Sequence, residues 1–179
     1  QNVAGYGKAS VRYWMHNNMV RVDGARMGKS LGNFTTIKDA LRQHRPQAIR
    51  LFVLSSHYRS PLNYSEEQLN LARSALGRLY TALQDINPGE IPLDSEYQKR
   101  FEVAMNDDFN TADALAVLFD LTRELNRAKS ENSSQAPPLA ALLKFLGNIL
   151  GLLQADATEY LKSSVSDQGI SDQDIEQTR

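Results

Sequence analysis

A helix-start signal at Ser65 constrains the fold of this chain more than any other feature. Ser65-Glu66-Glu67-Gln68 is a capping box, in which the serine side chain and the glutamine three residues later satisfy the first free backbone N–H groups of a helix. Apolar residues then recur at helical spacing, at Leu69, Ala72, Leu76, Leu79, Tyr80, Leu83 and Ile86. The stretch therefore predicts a long amphipathic helix that must bury one face against other elements.

Three later stretches repeat this helical spacing. Their apolar positions are Tyr97, Phe101 and Met105 in the first, Leu115, Leu118, Phe119 and Leu125 in the second, and Leu139, Leu142, Leu143, Leu146, Ile149, Leu150 and Leu153 in the third. Asn110 or Thr111 is the expected cap of the middle helix. Residues Lys129 to Pro138 are rich in Ser, Asn, Gln and Pro and predict a flexible linker. The pattern indicates an antiparallel helical bundle over 61–162, followed by a flexible tail over 163–179.

The N-terminal third of the chain has a different pattern, which predicts a small α/β segment. Residues Val11 to Val22 mix aromatic and β-branched types, and Asp23-Gly24 is a typical hairpin turn, so strand and hairpin structure is expected. In that strand Trp14 is assigned to the core, with His16 as its polar neighbour, in preference to a role in substrate binding. Thr36 then begins a short helix and Pro46 begins another. The predicted fold is mainly α, with a domain boundary near residue 61.

Residues Arg26 to Ser30 form a candidate phosphate-binding loop. Arg26, Met27, Gly28, Lys29 and Ser30 combine positive charge, a hydroxyl group and a glycine that allows close approach of the backbone. A Walker A loop is rejected, because the spacing from Gly24 gives G-x-x-x-G-K-S, one residue short, and no buried strand precedes it.

Composition excludes several classes of site. The chain has no cysteine, so disulfides, thiolate metal sites and cysteine nucleophiles are excluded, and its three histidines are scattered. No apolar run is long enough for a bilayer and no secretory signal is present, so a cytoplasmic protein is expected. Up to Ser60 the chain has ten Lys and Arg and two Asp, a charge of +8, whereas the remainder has a charge of −9. A basic segment that carries such a loop favours ATP or an RNA backbone as partner.

Two other polar groups have competing interpretations. Residues His57, Tyr58 and Arg59 could bind a ligand or could only pack over a helix end, and the sequence does not decide between them. Paired carboxylates at Asp107 and Asp108 could serve acid–base chemistry or a metal, but a capping and turn role is preferred because a helix start follows.

The order of these motifs closely resembles the cysteinyl-tRNA synthetases, a family of class I aminoacyl-tRNA synthetases, from about Val11 to about Tyr160. The family's KMSKS signature matches Arg26 to Ser30, with Arg26 in place of the first lysine and Gly28 in place of the first serine, while Lys29 keeps the second lysine. The other matching segments are Val11–Asn17, Leu31–Phe34, His57–Glu67 and Met105–Thr111.

The resemblance implies that residues 1–60 are the end of a catalytic domain with its stem-contact region, and that 61–162 form a helical domain of the DALR type. It implies a ligase that activates cysteine with ATP and magnesium and transfers the cysteine to its tRNA. Lys29 would be the catalytic residue, because it matches the lysine that neutralises the departing pyrophosphate. Residues 26–30 would bind ATP.

The HIGH motif and the zinc ligands of the family have no counterpart in this chain, so zinc is expected only in a missing N-terminal part. Because these parts are missing, the chain is expected to be inactive alone. Its start at Gln1 and not at methionine indicates a fragment or a processed product. Two alternatives stay open: the related cysteine ligase of mycothiol biosynthesis, and a truncated, non-enzymatic tRNA-binding module. The partners implied by the resemblance are the cysteine tRNA, ATP and cysteine, and no membrane is expected.

Overall fold

The computed structural model describes Gly7 and residues 12–166, apart from the side chains of Lys29 and of residues 164–166. Within these residues the chain is mainly α-helical and has one small three-stranded sheet, which confirms the predicted fold class. The strands are β1 (Val20–Val22), β2 (Ala25–Arg26) and β3 (Leu62–Tyr64). The helices are α1 (Ile37–Gln43), α2 (Pro46–Leu54), α3 (Glu66–Leu83), α4 (Glu96–Asn106), α5 (Thr111–Ser130), α6 (Ala136–Ile149) and α7 (Ala157–Ser166).

Local capping signals decide where the helices begin. The Ser65 hydroxyl accepts a hydrogen bond from the Gln68 N–H at 3.3 Å and so caps α3. Thr36 caps α1 in the same way, and Asn110 caps α5. Pro46 is the first residue of α2, where its missing N–H leaves no helical hydrogen bond unmade. These four predicted helix starts are confirmed.

One hydrophobic core runs through the helical part. Its largest fully buried side chains are Tyr80, leucines of α3, α5 and α6, and Leu152 and Leu153 in the segment after α6, and each such leucine contributes roughly 2 kcal/mol. Helix α2 packs against α3 and adds Ala48, Leu51 and Phe52 to the same core. The buried cluster therefore extends across residue 61, and a domain boundary at that position stays a prediction.

The sheet is built around β1. Strand β2 pairs with it antiparallel through the Asp23-Gly24 turn, whose positive φ angles of 48° and 78° are those of a two-residue hairpin turn. Strand β3 pairs with β1 in parallel, with Val20 opposite Leu62. The hairpin is confirmed, whereas β3 is an additional strand that the sequence pattern does not predict.

Three further predictions are wrong in part. Residues 12–19 have no regular structure, and Trp14 is not a core residue, since it is 72% exposed and its ring stacks on His16 at 6.4 Å between centroids. The predicted linker shrinks to residues 131–135, because α5 continues to Ser130 and Pro137 and Pro138 lie in the first turn of α6. Helix α7 was not predicted and continues past 163; the tail beyond 166 lies outside the described residues.

Candidate functional site

The basic loop connects β2 to α1 by a compact turn. Arg26 ends β2 and is exposed, and the backbone of Lys29–Leu31 forms one turn of 3₁₀ helix. The Leu31 N–H donates to the Gly28 carbonyl at 3.1 Å and closes the preceding bend. Gly32 follows with φ of +67°, a left-handed conformation that an L side chain rarely adopts. The loop thus turns back sharply towards α1.

The Asn33 side chain bridges two backbone groups of the loop. Its Oδ1 accepts from the Gly28 N–H at 3.0 Å, and its Nδ2 donates to the Arg26 carbonyl at 3.1 Å. One amide therefore joins the two peptide groups on either side of Met27. In this conformation the Gly28 N–H is engaged, so it is not free to bind a phosphate.

Met27 anchors the loop to the rest of the chain. It is half-buried and lines an apolar cleft of about 270 Å³ together with residues of β1, β3, α1 and α2, among them Ala40, Phe52 and Leu62. Methionine suits such an irregular space because its unbranched side chain has three rotatable bonds. Met27 therefore points inward, while Arg26 and Ser30 are exposed to solvent.

Gly28 does not need to be a glycine for steric reasons. Its φ lies outside the left-handed region, and a Cβ built on it would lie 3.8 Å from the Leu31 side chain and 3.9 Å from Ser30 Oγ. These are ordinary van der Waals contacts. The serine found at this position of the KMSKS signature would fit the loop as it stands.

Two arginines face each other beside the loop. Arg21 of β1 is paired with Arg26 of β2 in the antiparallel register, so their side chains share one face of the hairpin. Both are exposed, and within the described residues neither forms an ion pair with a carboxylate. Like charges opposite each other destabilise a strand pair, and an anion bound between them would remove that cost.

The structure thus places Arg26, Met27, Gly28 and Ser30 in one compact loop, as predicted, together with the backbone of Lys29. Two residues near them were missed by sequence reasoning. Arg21 could have been found, because a two-residue turn at Asp23-Gly24 fixes the register that places it opposite Arg26. Asn33 had no such signal, since its role depends on how the loop turns back.

The connector after α2 is tied to the elbow between α4 and α5. Arg59 Nε donates to Asp108 Oδ2 at 2.6 Å, and the Tyr58 hydroxyl donates to Asp108 Oδ1 at 2.7 Å. The hydrogen bond from Arg59, and after it the one from Tyr58, holds the pKa of Asp108 below its usual value. The His57 ring stacks on the Tyr58 ring, with 4.8 Å between the ring centroids. For these residues the structure favours packing and anchoring, one of the two interpretations left open.

The paired carboxylates at the elbow have separate roles. Asp107 is the C-cap of α4, and Asp108, with φ of 53°, forms the ion pair with Arg59. The turn role is therefore confirmed, although it is Asn110 that caps α5. Across the described part of the chain no three His, Cys, Asp or Glu side chains are grouped closely enough to hold a metal ion. In the same part, no helix is both long enough and apolar enough to cross a bilayer.

Two family models match the chain. The model of the "tRNA synthetases class I (C) catalytic domain" matches residues 1–74, and that of the "DALR domain" matches residues 100–154. A cysteine–tRNA ligase of Methylococcus capsulatus is 51% identical over 98% of this chain and 39% of its own length. One from Neisseria meningitidis serogroup B is 51% identical over 93% of this chain and 34% of its own length.

A solved structure shares the fold. It is the ternary complex of Agrobacterium radiobacter K84 agnB2 LeuRS-tRNA-LeuAMS, and it covers 82% of this chain and 22% of its own chain with a TM-score of 0.57 at 23% identity. At that identity the likeness concerns the fold alone.

Since the two cysteine–tRNA ligases are about two and a half to three times as long as their matched regions, the chain spans between a third and two-fifths of their length.

The two matching models place the chain in the class I tRNA synthetases. The small sheet with its basic loop and the helical bundle that follows agree with that class. Within that class the identity of about 50% over nearly the whole chain is decisive. The chain belongs to the cysteine–tRNA ligase family.

Proposed function

We propose that this chain is part of a cytoplasmic ligase that activates cysteine with ATP and transfers it to the tRNA for cysteine. The observation that supports this proposal is the near-complete alignment with relatives of that name at about 50% identity. The basic loop and the facing guanidinium groups of Arg21 and Arg26 supply a positive surface that suits a triphosphate.

In the first step the cysteine carboxylate attacks the α-phosphorus of ATP, and the bond to the β-phosphate oxygen breaks. Negative charge then grows on the departing pyrophosphate. We assign its stabilisation to the Lys29 ammonium group, which acts by electrostatics and not by proton transfer. Arg26 adds charge, and the backbone of 27–30 completes the ATP-binding loop. Gly28 can contribute its N–H only if the bond to Asn33 opens.

Magnesium would accompany ATP as part of the substrate and would neutralise part of the negative charge of its phosphates. The residues described here offer no cluster that fits zinc, so that metal is assigned to other parts of the longer protein. For the same reason we propose that the 179-residue chain alone does not activate cysteine. Its rate of cysteine-dependent ATP–pyrophosphate exchange then gives the baseline for the experiment below.

The experiment measures adenylate formation by the complete enzyme with Lys29→Ala. Loss of one contact made mainly in the transition state costs roughly 3 kcal/mol, so the rate should fall about a hundredfold while ATP affinity changes much less. Arg26→Ala should have a smaller effect, because an arginine at that position already departs from the family signature.

Lys38→Ala is the matched control, since Lys38 is an exposed lysine on α1, outside the loop. Its rate should stay within about twofold of the unchanged enzyme, as is usual for exposed sites. If Lys29→Ala also stayed within twofold, the assigned role of the lysine would be wrong.

A further inference from the structure

We infer that Asn33 is a positioning residue, which holds the backbone of the basic loop in one conformation and thereby places Lys29. This inference rests on the proposed function for its catalytic consequence. Its structural part, the clamp itself, depends only on the contacts of the side chain with Arg26 and Gly28.

The geometry of the clamp fixes the orientation of the amide. Oδ1 faces an N–H donor and Nδ2 faces a carbonyl acceptor, at 3.0 and 3.1 Å, so the flipped amide would place like groups against each other. Asn33 is half-buried, and its bond from the Gly28 N–H is partly shielded from water, whereas its bond to the Arg26 carbonyl is exposed. Gly32 makes the contact possible, because its left-handed backbone turns the chain back over the loop.

The clamp adds to a second anchor of the loop, the side chain of Met27. Among the loop side chains that the structure describes, Met27 is the one seated in the apolar cleft, whereas Arg26 and Ser30 are exposed. The clamp immobilises the peptide groups on both sides of Met27, two residues ahead of Lys29. A lysine on a preordered backbone meets the departing phosphate without a further entropic cost of ordering at the moment of reaction.

The first test uses trypsin, because the loop contains its own cleavage sites after Arg26 and Lys29. Asn33→Ala in the 179-residue chain should raise the cleavage rate at these two bonds on the order of tenfold, since about two hydrogen bonds that oppose local opening are lost. The bond after Arg59 is the internal reference and should be unaffected.

Asn63→Ala is a closely matched control. The Asn63 Oδ1 accepts from the Gly24 N–H at 2.7 Å, an amide–glycine contact in the neighbouring hairpin turn that does not touch the loop. It should leave cleavage after Arg26 and Lys29 unchanged. Asn33→Asp keeps the acceptor for Gly28 but loses the donor to Arg26, so its cleavage rate should be intermediate. Unchanged cleavage in Asn33→Ala would overturn the clamp, whatever the protein's activity.

The second test measures adenylate formation in the complete enzyme. Asn33→Ala should lower the rate about tenfold and change ATP affinity by less than threefold, whereas Asn63→Ala should change neither. Faster cleavage with an unchanged rate of adenylate formation would overturn the positioning role. If Lys29→Ala left that rate unchanged as well, the failure would lie with the proposed function, and the clamp would stand as a structural feature alone.

Discussion

Two stacked tyrosines in the bundle can each be replaced by phenylalanine, and the two substitutions should have different effects on the free energy of unfolding. Tyr80 of α3 and Tyr160 of α7 lie 3.8 Å apart between ring centroids, at an interplanar angle of 14°, and both are buried. The Tyr80 hydroxyl donates to Gln47 Oε1 at 2.9 Å and accepts from the Ala155 N–H at 3.2 Å. The same Gln47 oxygen accepts from the Leu153 N–H at 3.0 Å. This network joins α2, α3 and the segment that leads to α7.

Tyr80→Phe should cost about 2–3 kcal/mol of unfolding free energy. Phenylalanine keeps the ring and leaves no cavity of consequence, so the cost comes from two hydrogen bonds and from a partly buried Ala155 N–H left without its acceptor. Tyr160→Phe removes a hydroxyl that forms no hydrogen bond within the described residues. Burial raises the pKa of Tyr160, and the positive charge of Arg45 partly opposes that rise. The change should be neutral or stabilise by up to about 1 kcal/mol.

Urea unfolding of the 179-residue chain, followed by circular dichroism, measures both free energies. The unfolding slope with denaturant should be the same for the two variants, since neither changes the surface that unfolding exposes. The reasoning would be refuted if Tyr160→Phe cost as much as Tyr80→Phe, or if Tyr80→Phe cost less than about 0.5 kcal/mol.

Two further predictions concern a pair of glycines and one carboxylate. Gly151 follows α6 with φ of +68°, so Gly151→Ala should cost about 1–2 kcal/mol. Gly77 lies inside α3, where a new Cβ would meet nothing within 4 Å apart from its chain neighbours and the backbone of the helix, so Gly77→Ala should gain about 0.5–1 kcal/mol. Thermal melts that shift in the same direction would contradict this. The pKa of Asp108 is lowered by its hydrogen bonds to Arg59 and then Tyr58, so its contribution to stability is present above the unfolded value of about 3.9 and is lost as pH falls through the folded value. Asp108→Asn should therefore lower stability at neutral pH, and the difference from the unchanged chain should vanish in acid; a difference independent of pH in denaturation curves would refute the assignment.

Features that depend on a few neighbouring residues could be read from the sequence. The cap at Ser65, the helix start at Pro46 and the turn at Asp23-Gly24 each follow from hydrogen-bond donors or backbone angles that the residue itself supplies. The bundle followed because the apolar spacing of its helices extends over several turns, which leaves one face to be buried. Helix ends were less well placed, as the early start of α6 shows, because prolines in a first turn resemble those of a linker.

Features that depend on distant contacts could not be read in this way. Strand β3 has only three residues, and its pairing with β1 is formed by a segment far along the chain. Tryptophan is a residue type common in protein cores, but the predicted strand that would have buried Trp14 forms only at Val20–Val22. Asn33 has no pattern of its own, since its contacts arise only after Gly32 has turned the backbone. The family resemblance indicates that the loop binds ATP, but it does not identify Asn33 as the residue that holds the loop in its conformation.

The loop is bounded on both sides by structure that is more strongly held than the loop itself. Upstream, the hairpin belongs to the sheet whose strand β3 packs against α3, and downstream α1 packs against α2, part of the main core. Within these limits the loop conformation depends on small local terms, the left-handed Gly32 and the amide of Asn33. Because Asn33 and Tyr80 share no hydrogen-bonding partner, their effects should separate. Asn33→Ala should change loop protection with little change in global unfolding, and Tyr80→Phe should lower global stability while cleavage in the folded loop stays the same.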